Sequence, residues 1–157
     1  MSRGVPNQLV LVLDFGGQYN QLIARRVREQ NVYCEVHPYR MPMEEIRRLA
    51  PIGIIFTGGP NSVYGDGVPK IDPAVYTLGI PILGLCYGAQ LMAQQLGGHV
   101  TSPDSREYGR TDTQLDTKCV LFEGLPAQAV TWMSHTDYID RLPEGFSGAA
   151  STSATPY

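Results

Sequence analysis

The sequence predicts a three-layer α/β domain with a central, mostly parallel sheet and flanking helices. Four short apolar segments recur in the first half of the chain: Leu9 to Phe15, Val32 to Val36, Ile52 to Thr57 and Ile80 to Cys86. Segments of helical periodicity lie between them, and this alternation is typical of a parallel sheet covered by helices. A chain of 157 residues is long enough to bury one core, so we expect a single domain.

The first two predicted helices follow the first and second apolar segments. One helix should run from about Gln18 to Gln30, because apolar residues recur at i, i+3, i+4 and i+8 from Tyr19. The next should begin at Pro42, since proline suits the first helical position, and it carries apolar residues as far as Leu49. Both helices are expected to pack on the sheet.

The third and fourth predicted helices have clear boundaries. Asp72 is a good N-cap, Pro73 suits the first position, and Gly79 is placed to end the third helix. The fourth helix should begin directly after Cys86 and end at the glycine pair 97–98, because apolar residues within it repeat with helical spacing.

Helical periodicity fades in the second half of the chain. Three segments there, Val120 to Phe122, Ala129 to Met133 and Phe146 to Ala150, are predicted as short strands between turns rich in Gly, Pro and Asp. We expect this half to form a mixed or antiparallel extension of the sheet. Ser151 to Tyr157 is the one candidate tail.

Charge and hydropathy exclude several classes of function. Twelve Lys and Arg residues against fifteen Asp and Glu residues give a net charge of −3, which does not favour nucleic acid or acidic membranes as partners. The longest aliphatic run, Leu9 to Leu13, is too short for a membrane span or a signal-peptide core. We therefore expect a soluble cytoplasmic protein that acts on a small molecule or binds another protein.

The cysteines and histidines do not form a recognisable metal or disulfide pattern. Cys34, Cys86 and Cys119 are odd in number and widely spaced, and no His lies beside them as in a zinc site. We expect Cys34 and Cys119 to be small core residues. His37 and His99 are expected on the surface or in loops.

The segment around Cys86 carries the strongest chemical pattern. An apolar strand runs into Gly84-Leu85-Cys86-Tyr87-Gly88 and then into a helix, which is a nucleophile elbow with sulfur in place of the serine hydroxyl. Glycines on both sides let the backbone close up, and the helix N-terminus favours the thiolate. The amide of Tyr87 could then stabilise the oxyanion formed by attack on an acyl carbon.

A second glycine turn supports the same chemistry. The strand ending at Phe56 leads into Thr57-Gly58-Gly59-Pro60, and glycines there could bring backbone amides close to the Cys86 sulfur. Structural roles stay open at this point, because free cysteine is often buried and a glycine pair also suits an ordinary turn from strand to helix.

Four segments resemble the class I glutamine amidotransferase family, which has a flavodoxin-like fold. They are Asp14-Phe15-Gly16-Gly17-Gln18-Tyr19, Gly58-Gly59-Pro60-Asn61-Ser62, Gly84-Leu85-Cys86-Tyr87-Gly88 and Trp132-Met133-Ser134-His135-Thr136-Asp137. The resemblance keeps the family's order from about Leu9 to the last residue. The first and last segments are those of the branch that serves purine nucleotide synthesis.

The resemblance implies a glutaminase reaction. The Cys86 thiolate would attack the side-chain amide of L-glutamine, ammonia would leave, and water would hydrolyse the γ-glutamyl thioester. In this branch the ammonia goes to an ATP-pyrophosphatase module, as a domain or a separate subunit, which adenylates XMP and aminates it to GMP. No cofactor is then expected in the amidotransferase domain, whereas ATP and Mg²⁺ are expected in the synthase module, which these residues lack.

The resemblance also assigns roles to single residues. Cys86 is the nucleophile, and the amides of Gly59 and Tyr87 are the oxyanion donors. The remaining assigned residues bind glutamine: Gly58, Gln90, Ser134, His135 and Thr136. Gln90 would contact the amino-acid end of the substrate, although a solvated position on the helix is also open. The family's general base is a different histidine, so His135 is assigned to the pocket.

This chain departs from the family in three places. Gly17 stands where many relatives have serine, and Thr136 stands where many have glycine, which affects only local loop conformation. The family completes its triad with a Phe-His-Pro-Glu segment after a later strand, and that segment does not occur here. We therefore expect residues 1–157 to be a truncated amidotransferase domain with little or no steady glutaminase activity.

Two other functions remain open at this point. One is another class I amidotransferase, such as those that serve anthranilate, carbamoyl phosphate or CTP synthesis. The other is a catalytically silent regulatory or binding module that keeps the fold without turnover, which would agree with the missing histidine.

Overall fold

A computed structural model describes residues 8–102 and 107–157. The chain divides into two compact units, one ending at Met92 and the other beginning at Ala93. None of the helices in these residues has the length and apolar character that crossing a bilayer requires.

The first unit contains a four-stranded parallel sheet. Its strands are β1 (Leu9–Asp14), β2 (Tyr33–Pro38), β3 (Gly53–Phe56) and β4 (Ile82–Gly84). They are ordered β2-β1-β3-β4, and every neighbouring pair is parallel. The four predicted apolar segments are therefore confirmed as the strands of one parallel sheet.

Three α-helices and a short 3₁₀ helix accompany these strands. They are α1 (Asn20–Glu29), α2 (Met43–Leu49), the 3₁₀ helix Pro73–Thr77 and α3 (Tyr87–Gln95). The third predicted helix thus has the tighter 3₁₀ form and only five residues. Its N-cap prediction holds, because the Asp72 side chain accepts a hydrogen bond from the Ala74 amide at 2.9 Å.

Helix α1 covers one face of the sheet. Val12, on the central strand β1, is completely buried and packs with Ala24 of α1 and Cys34 of β2. Side chains on one face of neighbouring parallel strands are in register here, since Val12 pairs with Val36 and with Ile55. Ile23 and Val27 of the apolar stripe predicted for α1 pack against this face, whereas its other two members, Tyr19 and Leu22, are exposed.

The opposite face is covered by later elements. Phe56 of β3 is completely buried, and its ring lies 6.2 Å from the ring of Tyr76 in the 3₁₀ helix. Gly88, in the first turn of α3, lies against the backbone and Cβ of Phe56. Elements on both faces of a parallel sheet confirm the predicted α/β fold class with flanking helices.

The strand order places a ligand site at one edge of this sheet. Strand β2 lies on one side of β1 and β3 on the other, so the chain reverses its direction of winding between β1 and β3. Open α/β sheets bind ligands at the carboxyl ends of their strands near such a switch point. Phe15, Thr57 and Cys86 all follow strand ends at this edge.

The second unit is built from antiparallel strands. Strand β5 (His99–Thr101) pairs with β8 (Tyr138–Arg141), and a separate sheet has the order β7-β6-β9. The strands of that sheet are β6 (Glu107–Leu115), β7 (Gln128–His135) and β9 (Ala150–Ser151). The predicted strand Ala129 to Met133 is confirmed within β7, and β5, β6 and β8 lack a clear apolar pattern in the sequence.

Two other strand predictions in this half are wrong. Val120–Phe122 is a 3₁₀ helix, in which the Phe122 amide donates to the Cys119 carbonyl at 2.9 Å. Of the segment Phe146 to Ala150 only Ala150 lies in a strand, and Phe146 closes a turn with Pro143. Local turns therefore outweigh the apolar content of both segments.

The antiparallel strands form two sheets of their own among the described residues and do not extend the parallel sheet. The predicted tail is tied down at its start, because Ser151 pairs with Gln114 and the Thr152 hydroxyl accepts hydrogen bonds from the amides of Ala154 and Thr155.

Candidate active site

Cys86 occupies a strained and exposed position between a strand and a helix. Strand β4 ends at Gly84, α3 begins at Tyr87, and Cys86 lies in the turn between them with φ = +51°. Left-handed backbone is uncommon for residues other than glycine, and such strain is concentrated at functional sites. The side chain is exposed to solvent, so this thiol can meet a ligand.

The glycines on either side of Cys86 allow this turn by close backbone contact. A methyl group on Gly84 would lie 2.6 Å from the Ala89 Cα atom, and one on Gly88 would lie 2.5 Å from the Phe56 carbonyl oxygen. No ordinary side chain fits at such distances without a shift of backbone. The turn that holds Cys86 therefore needs glycine at both positions.

The predicted glycine turn lies directly beside this cysteine. A methyl group on Gly58 would lie 3.4 Å from the Cys86 Cβ atom and 3.9 Å from its sulfur. One on Gly59 would lie 2.6 Å from the Phe15 carbonyl oxygen. The backbone of residues 58 and 59 thus runs between the end of β1 and the Cys86 side chain.

The backbone amides of Gly59 and Tyr87 have no acceptor in the part of the chain that the structure describes. Among residues 8–102 and 107–157, no hydrogen bond uses the amide N–H of Gly59 or of Tyr87. The next amides of α3 are occupied: Gly88 donates to the Thr57 carbonyl, and Gln90 donates to the Cys86 carbonyl at 3.1 Å. The amides that the sequence predicts for an oxyanion are therefore among the unoccupied donors of this edge.

Thr57 is a residue of this site that the sequence reasoning did not single out. It is completely buried, and its hydroxyl accepts a hydrogen bond from the Phe15 amide at 3.0 Å while donating to the Gly58 carbonyl at 3.2 Å. Its position between an apolar strand and a glycine pair was the available signal. Thr57 therefore links the end of β1 to the end of β3, where the glycine turn begins.

The Tyr87 side chain packs under the same loop. It is 1% exposed, its ring lies 5.9 Å from the Phe15 ring, and its hydroxyl donates to the Pro69 carbonyl. Burial raises the pKa of the Tyr87 hydroxyl, which keeps it protonated as a donor. Tyr87, the residue after Cys86, is therefore fixed by contacts of its side chain as well as by its place in the helix backbone.

Gln90 lies one helical turn after Cys86 and is only 8% exposed. This burial excludes the alternative of a solvated position on the helix. The first unit thus brings together five of the predicted site residues: Gly58, Gly59, Cys86, Tyr87 and Gln90.

The other three predicted site residues lie in the second unit. Ser134 and His135 are the last two residues of β7, with Ser134 exposed and His135 half-buried. Thr136 follows in the connection to β8, and its hydroxyl lies 3.3 Å from the hydroxyl of Tyr108. These three residues therefore form one continuous segment at the end of a strand.

The remaining cysteines and histidines have other surroundings. Cys34 is 1% exposed, and burial raises the pKa of its thiol, whereas Cys119 is half-buried beside a 3₁₀ helix. His37 and His99 each contact a carboxylate, at 2.7 and 2.6 Å respectively. In the part of the chain that the structure describes, no three His, Cys, Asp or Glu side chains converge as a metal site.

The sequence is similar to longer proteins of known class. It is 57% identical over 152 residues to a protein named GMP synthase (glutamine-hydrolysing) from Clostridium novyi, and this region is 97% of the chain but 30% of the relative. A protein of the same name from Clostridium botulinum strain Hall is 58% identical over 149 residues, which are 95% of this chain and 29% of that relative. The chain thus spans about a third of the length of these relatives.

Solved structures share the fold. A Thermoplasma acidophilum protein provisionally named as one subunit of a GMP synthase superposes with a TM-score of 0.76 and 29% identity, over 96% of this chain and 75% of that one. A glutamine amidotransferase of Thermotoga maritima gives a TM-score of 0.71 at 19% identity, over 95% and 69% of the two chains, which supports the fold alone.

The family model for class I glutamine amidotransferases matches residues 11–156, which is nearly the whole chain. This match includes the strand ends, the glycine turn and the cysteine elbow described above. The chain belongs to the class I glutamine amidotransferase family.

Proposed function

We propose that this chain is the glutaminase part of a GMP synthase and belongs to an amidotransferase domain. It would hydrolyse L-glutamine through a thioester on Cys86 and supply ammonia for the amination of XMP to GMP. The observation that carries the proposal is the exposed Cys86 at φ = +51° beside two amides without acceptors. The names of the relatives at 57–58% identity support the choice of synthase.

The proposed reaction begins at the sulfur. The Cys86 thiolate attacks the carboxamide carbon of the glutamine side chain, and the carbonyl oxygen takes the negative charge. The amides of Gly59 and Tyr87 donate to this oxyanion, and each such donor stabilises a transition state by about 2.7–4 kcal/mol. The C–N bond then breaks, the nitrogen leaves as ammonia after gaining a proton, and a γ-glutamyl thioester remains.

Hydrolysis completes the proposed cycle. Water attacks the thioester carbonyl, the C–S bond breaks, and glutamate leaves with the thiolate restored. The proton transfers in both halves need a general acid and base, which the family supplies from a His and a Glu in a segment that this sequence does not contain. We propose that the longer protein provides them.

We propose that five further residues serve to bind glutamine. Gln90 is buried one turn beyond the nucleophile, which supports a role in binding the amino-acid end of the substrate. Gly58 has no side chain, and this leaves space for the substrate next to the Cys86 sulfur. Ser134, His135 and Thr136 are proposed to line the pocket for glutamine.

We propose that the partner of this domain is an ATP-pyrophosphatase domain or subunit that binds ATP and Mg²⁺, in a ligase of purine biosynthesis located in the cytoplasm. The length of the relatives supports such a partner, since the chain matches only 29–30% of each. No metal or nucleotide is assigned to the amidotransferase domain itself.

The full-length protein provides the test. Replacing Cys86→Ser should abolish glutamine hydrolysis and glutamine-dependent GMP formation, while added ammonia should still support amination of XMP. Cys119→Ser is the matched control and should retain glutamine hydrolysis, because Cys119 is a half-buried thiol beside a 3₁₀ helix and is not among the proposed site residues. Glutamine hydrolysis that survives the loss of Cys86 would refute the proposal.

A further inference from the structure

The β6–β7 hairpin of the second unit exposes three large apolar side chains on a face that also carries polar residues. On one face lie Tyr108, Val130 and Trp132, which are 57%, 47% and 79% exposed. On the other face Thr113 is 4% exposed, and its hydroxyl bonds that of Thr131 at 2.6 Å. Antiparallel sheets normally turn their apolar face inwards and their polar face to water.

The exposed apolar residues are neighbours. The register pairs Tyr108 with Ser134, Arg110 with Trp132 and Asp112 with Val130. Tyr108 is therefore diagonal to Trp132, and Val130 lies two residues away on the same strand, so all three share one face. We call Tyr108, Val130 and Trp132 the aromatic face.

Polar and charged residues lie directly beside the three residues of the aromatic face. Arg110 and Asp112 lie on the same face of β6, and a glutamine pair, Gln114 and Gln128, follows at the end of the hairpin. An apolar centre with tryptophan and tyrosine, bordered by polar residues, is typical of a protein–protein interface. Tryptophan and tyrosine are also the residues that most often dominate binding energy.

The size of the relatives indicates what would cover this face. The match covers 30% of the Clostridium novyi relative, so more than two thirds of that protein lies outside it. In the Thermoplasma acidophilum structure, 75% of the chain is covered, so most of an amidotransferase subunit of that length is already present here. We infer that most of the uncovered length of the Clostridium novyi relative is its synthase part.

We propose that the aromatic face is the docking surface for the ATP-pyrophosphatase part of the longer synthase, an inference that rests on the proposed function. Trp132 is the central anchor, and Arg110 and Asp112 form hydrogen bonds or ion pairs at the border. The partner surface is therefore an apolar pocket with polar groups at its rim.

The position of the face gives the docking a consequence for catalysis. Trp132 lies two residues before Ser134 on β7, and the Tyr108 hydroxyl contacts Thr136. The strand position of Trp132 and the contact of Tyr108 both connect the aromatic face to the segment proposed to line the glutamine pocket. A partner seated on the aromatic face would therefore hold this segment in place and couple the glutaminase to its synthase.

Photo-cross-linking in the full-length protein, or in the two-subunit complex, tests the surface. A benzoylphenylalanine at position 132 should cross-link to peptides of the ATP-pyrophosphatase part. The matched control is the same probe at Tyr33, an exposed aromatic residue of the first unit. Cross-links from position 132 that fall only within the amidotransferase part, or that are no stronger than those from position 33, would overturn the proposal.

Cross-linking of isotope-mixed protein distinguishes contact with a second copy of the protein from contact with the proposed partner. Equal amounts of ¹⁴N- and ¹⁵N-labelled protein reveal cross-links between copies, and a link from position 132 to the amidotransferase part of another copy would contradict the proposal. A link to the ATP-pyrophosphatase part of either copy supports it.

The variant Trp132→Ala adds a functional measurement. We expect glutamine-dependent GMP formation to fall about ten-fold, the size expected for truncation of an interface tryptophan, while ammonia-dependent formation stays unchanged. Equal loss of both activities, or of neither, would overturn the docking role.

The two proposals fail separately. If position 132 cross-links to the ATP-pyrophosphatase part but Cys86→Ser leaves glutamine hydrolysis intact, then the docking surface stands and the proposed chemistry fails. If Cys86→Ser abolishes hydrolysis but the cross-links are absent, then the chemistry stands and the docking surface fails.

Discussion

The carbonyl oxygen of Thr57 accepts the amide N–H of Gly88 at 3.1 Å, which joins the residue after β3 to the first turn of α3. The Thr57 hydroxyl meanwhile binds the Phe15 amide beyond β1. Three segments that are distant in sequence thus meet at one buried residue. Cys86 lies two residues before Gly88 and beside Gly58, so its position depends on this contact.

Replacing Thr57→Val should destabilise the protein, because valine keeps the shape but loses the hydroxyl. The buried Phe15 amide would lose its acceptor, which lowers the free energy of unfolding by about 1–3 kcal/mol. Urea denaturation measures the change. Thr57→Ser keeps the hydroxyl and should recover most of the loss, and equal stability of the Val and Ser variants would contradict the role.

Replacing Gly88→Ala should move the start of α3. The new methyl group would lie 2.5 Å from the Phe56 carbonyl oxygen, so backbone must shift. A displacement near 1 Å at a catalytic group lowers activity by on the order of 100-fold. Glutamine hydrolysis by the full-length protein measures the effect.

Gly53→Ala is the matched control for that variant. Gly53 lies on the same strand as Phe56, and a methyl group there would meet its neighbours at 3.9 Å, an ordinary contact. It should therefore keep glutaminase activity. Similar losses in the two variants would show that close packing at Gly88 is not the cause.

Replacing Tyr87→Phe tests whether this side chain acts as a positioning residue. The variant loses the hydrogen bond to the Pro69 carbonyl, about 1 kcal/mol, and so loosens the side chain of the residue whose amide is a proposed oxyanion donor. Because those donors act on the transition state, kcat for glutamine should fall with little change in KM.

Tyr33→Phe controls for the loss of a tyrosine hydroxyl. Tyr33 is exposed and donates to Glu35 at 2.8 Å, away from the elbow. It should leave kcat unchanged. A change in KM alone for Tyr87→Phe would argue for substrate contact and against positioning.

Cysteine labelling should be selective in the full-length protein. A glutamine-mimicking diazoketone should modify Cys86, which is exposed, and should spare Cys34, which is buried with a raised thiol pKa and therefore stays protonated. Peptide mass mapping locates the label. Modification of Cys34 or Cys119 with Cys86 untouched would overturn the site assignment.

The 157-residue chain alone should show little or no steady glutaminase activity. It holds the proposed nucleophile and oxyanion donors but not the Phe-His-Pro-Glu segment that supplies proton transfer in the family. Ammonia release from glutamine measures turnover. An ordinary enzymatic rate from these 157 residues would contradict the assignment of the base to that segment.

The sequence predicted the first unit well because its elements are strongly patterned. Buried parallel strands appear as apolar runs, and β1 to β4 were found within a few residues of their ends. The third helix was shorter than predicted, since propensity does not distinguish a single 3₁₀ turn from an α-helix.

The second unit was less predictable because its apolar residues do not mark its interior. The aromatic face places Trp132 outside and threonines inside, so burial cannot be inferred from residue type. Apolar content likewise suggested a strand at Val120–Phe122, where the backbone forms a local turn.

By itself, the sequence determined the parallel sheet, the elbow at Cys86 and the family, because strand burial and tight glycine turns leave local patterns in the residues. Tertiary structure alone decided the left-handed backbone of Cys86, the unoccupied amides of Gly59 and Tyr87, and the joining role of Thr57. These features depend on contacts between residues such as Phe15 and Thr57, which are 42 positions apart. No local pattern carries such contacts, since they form only when separate strands end at one edge of the sheet.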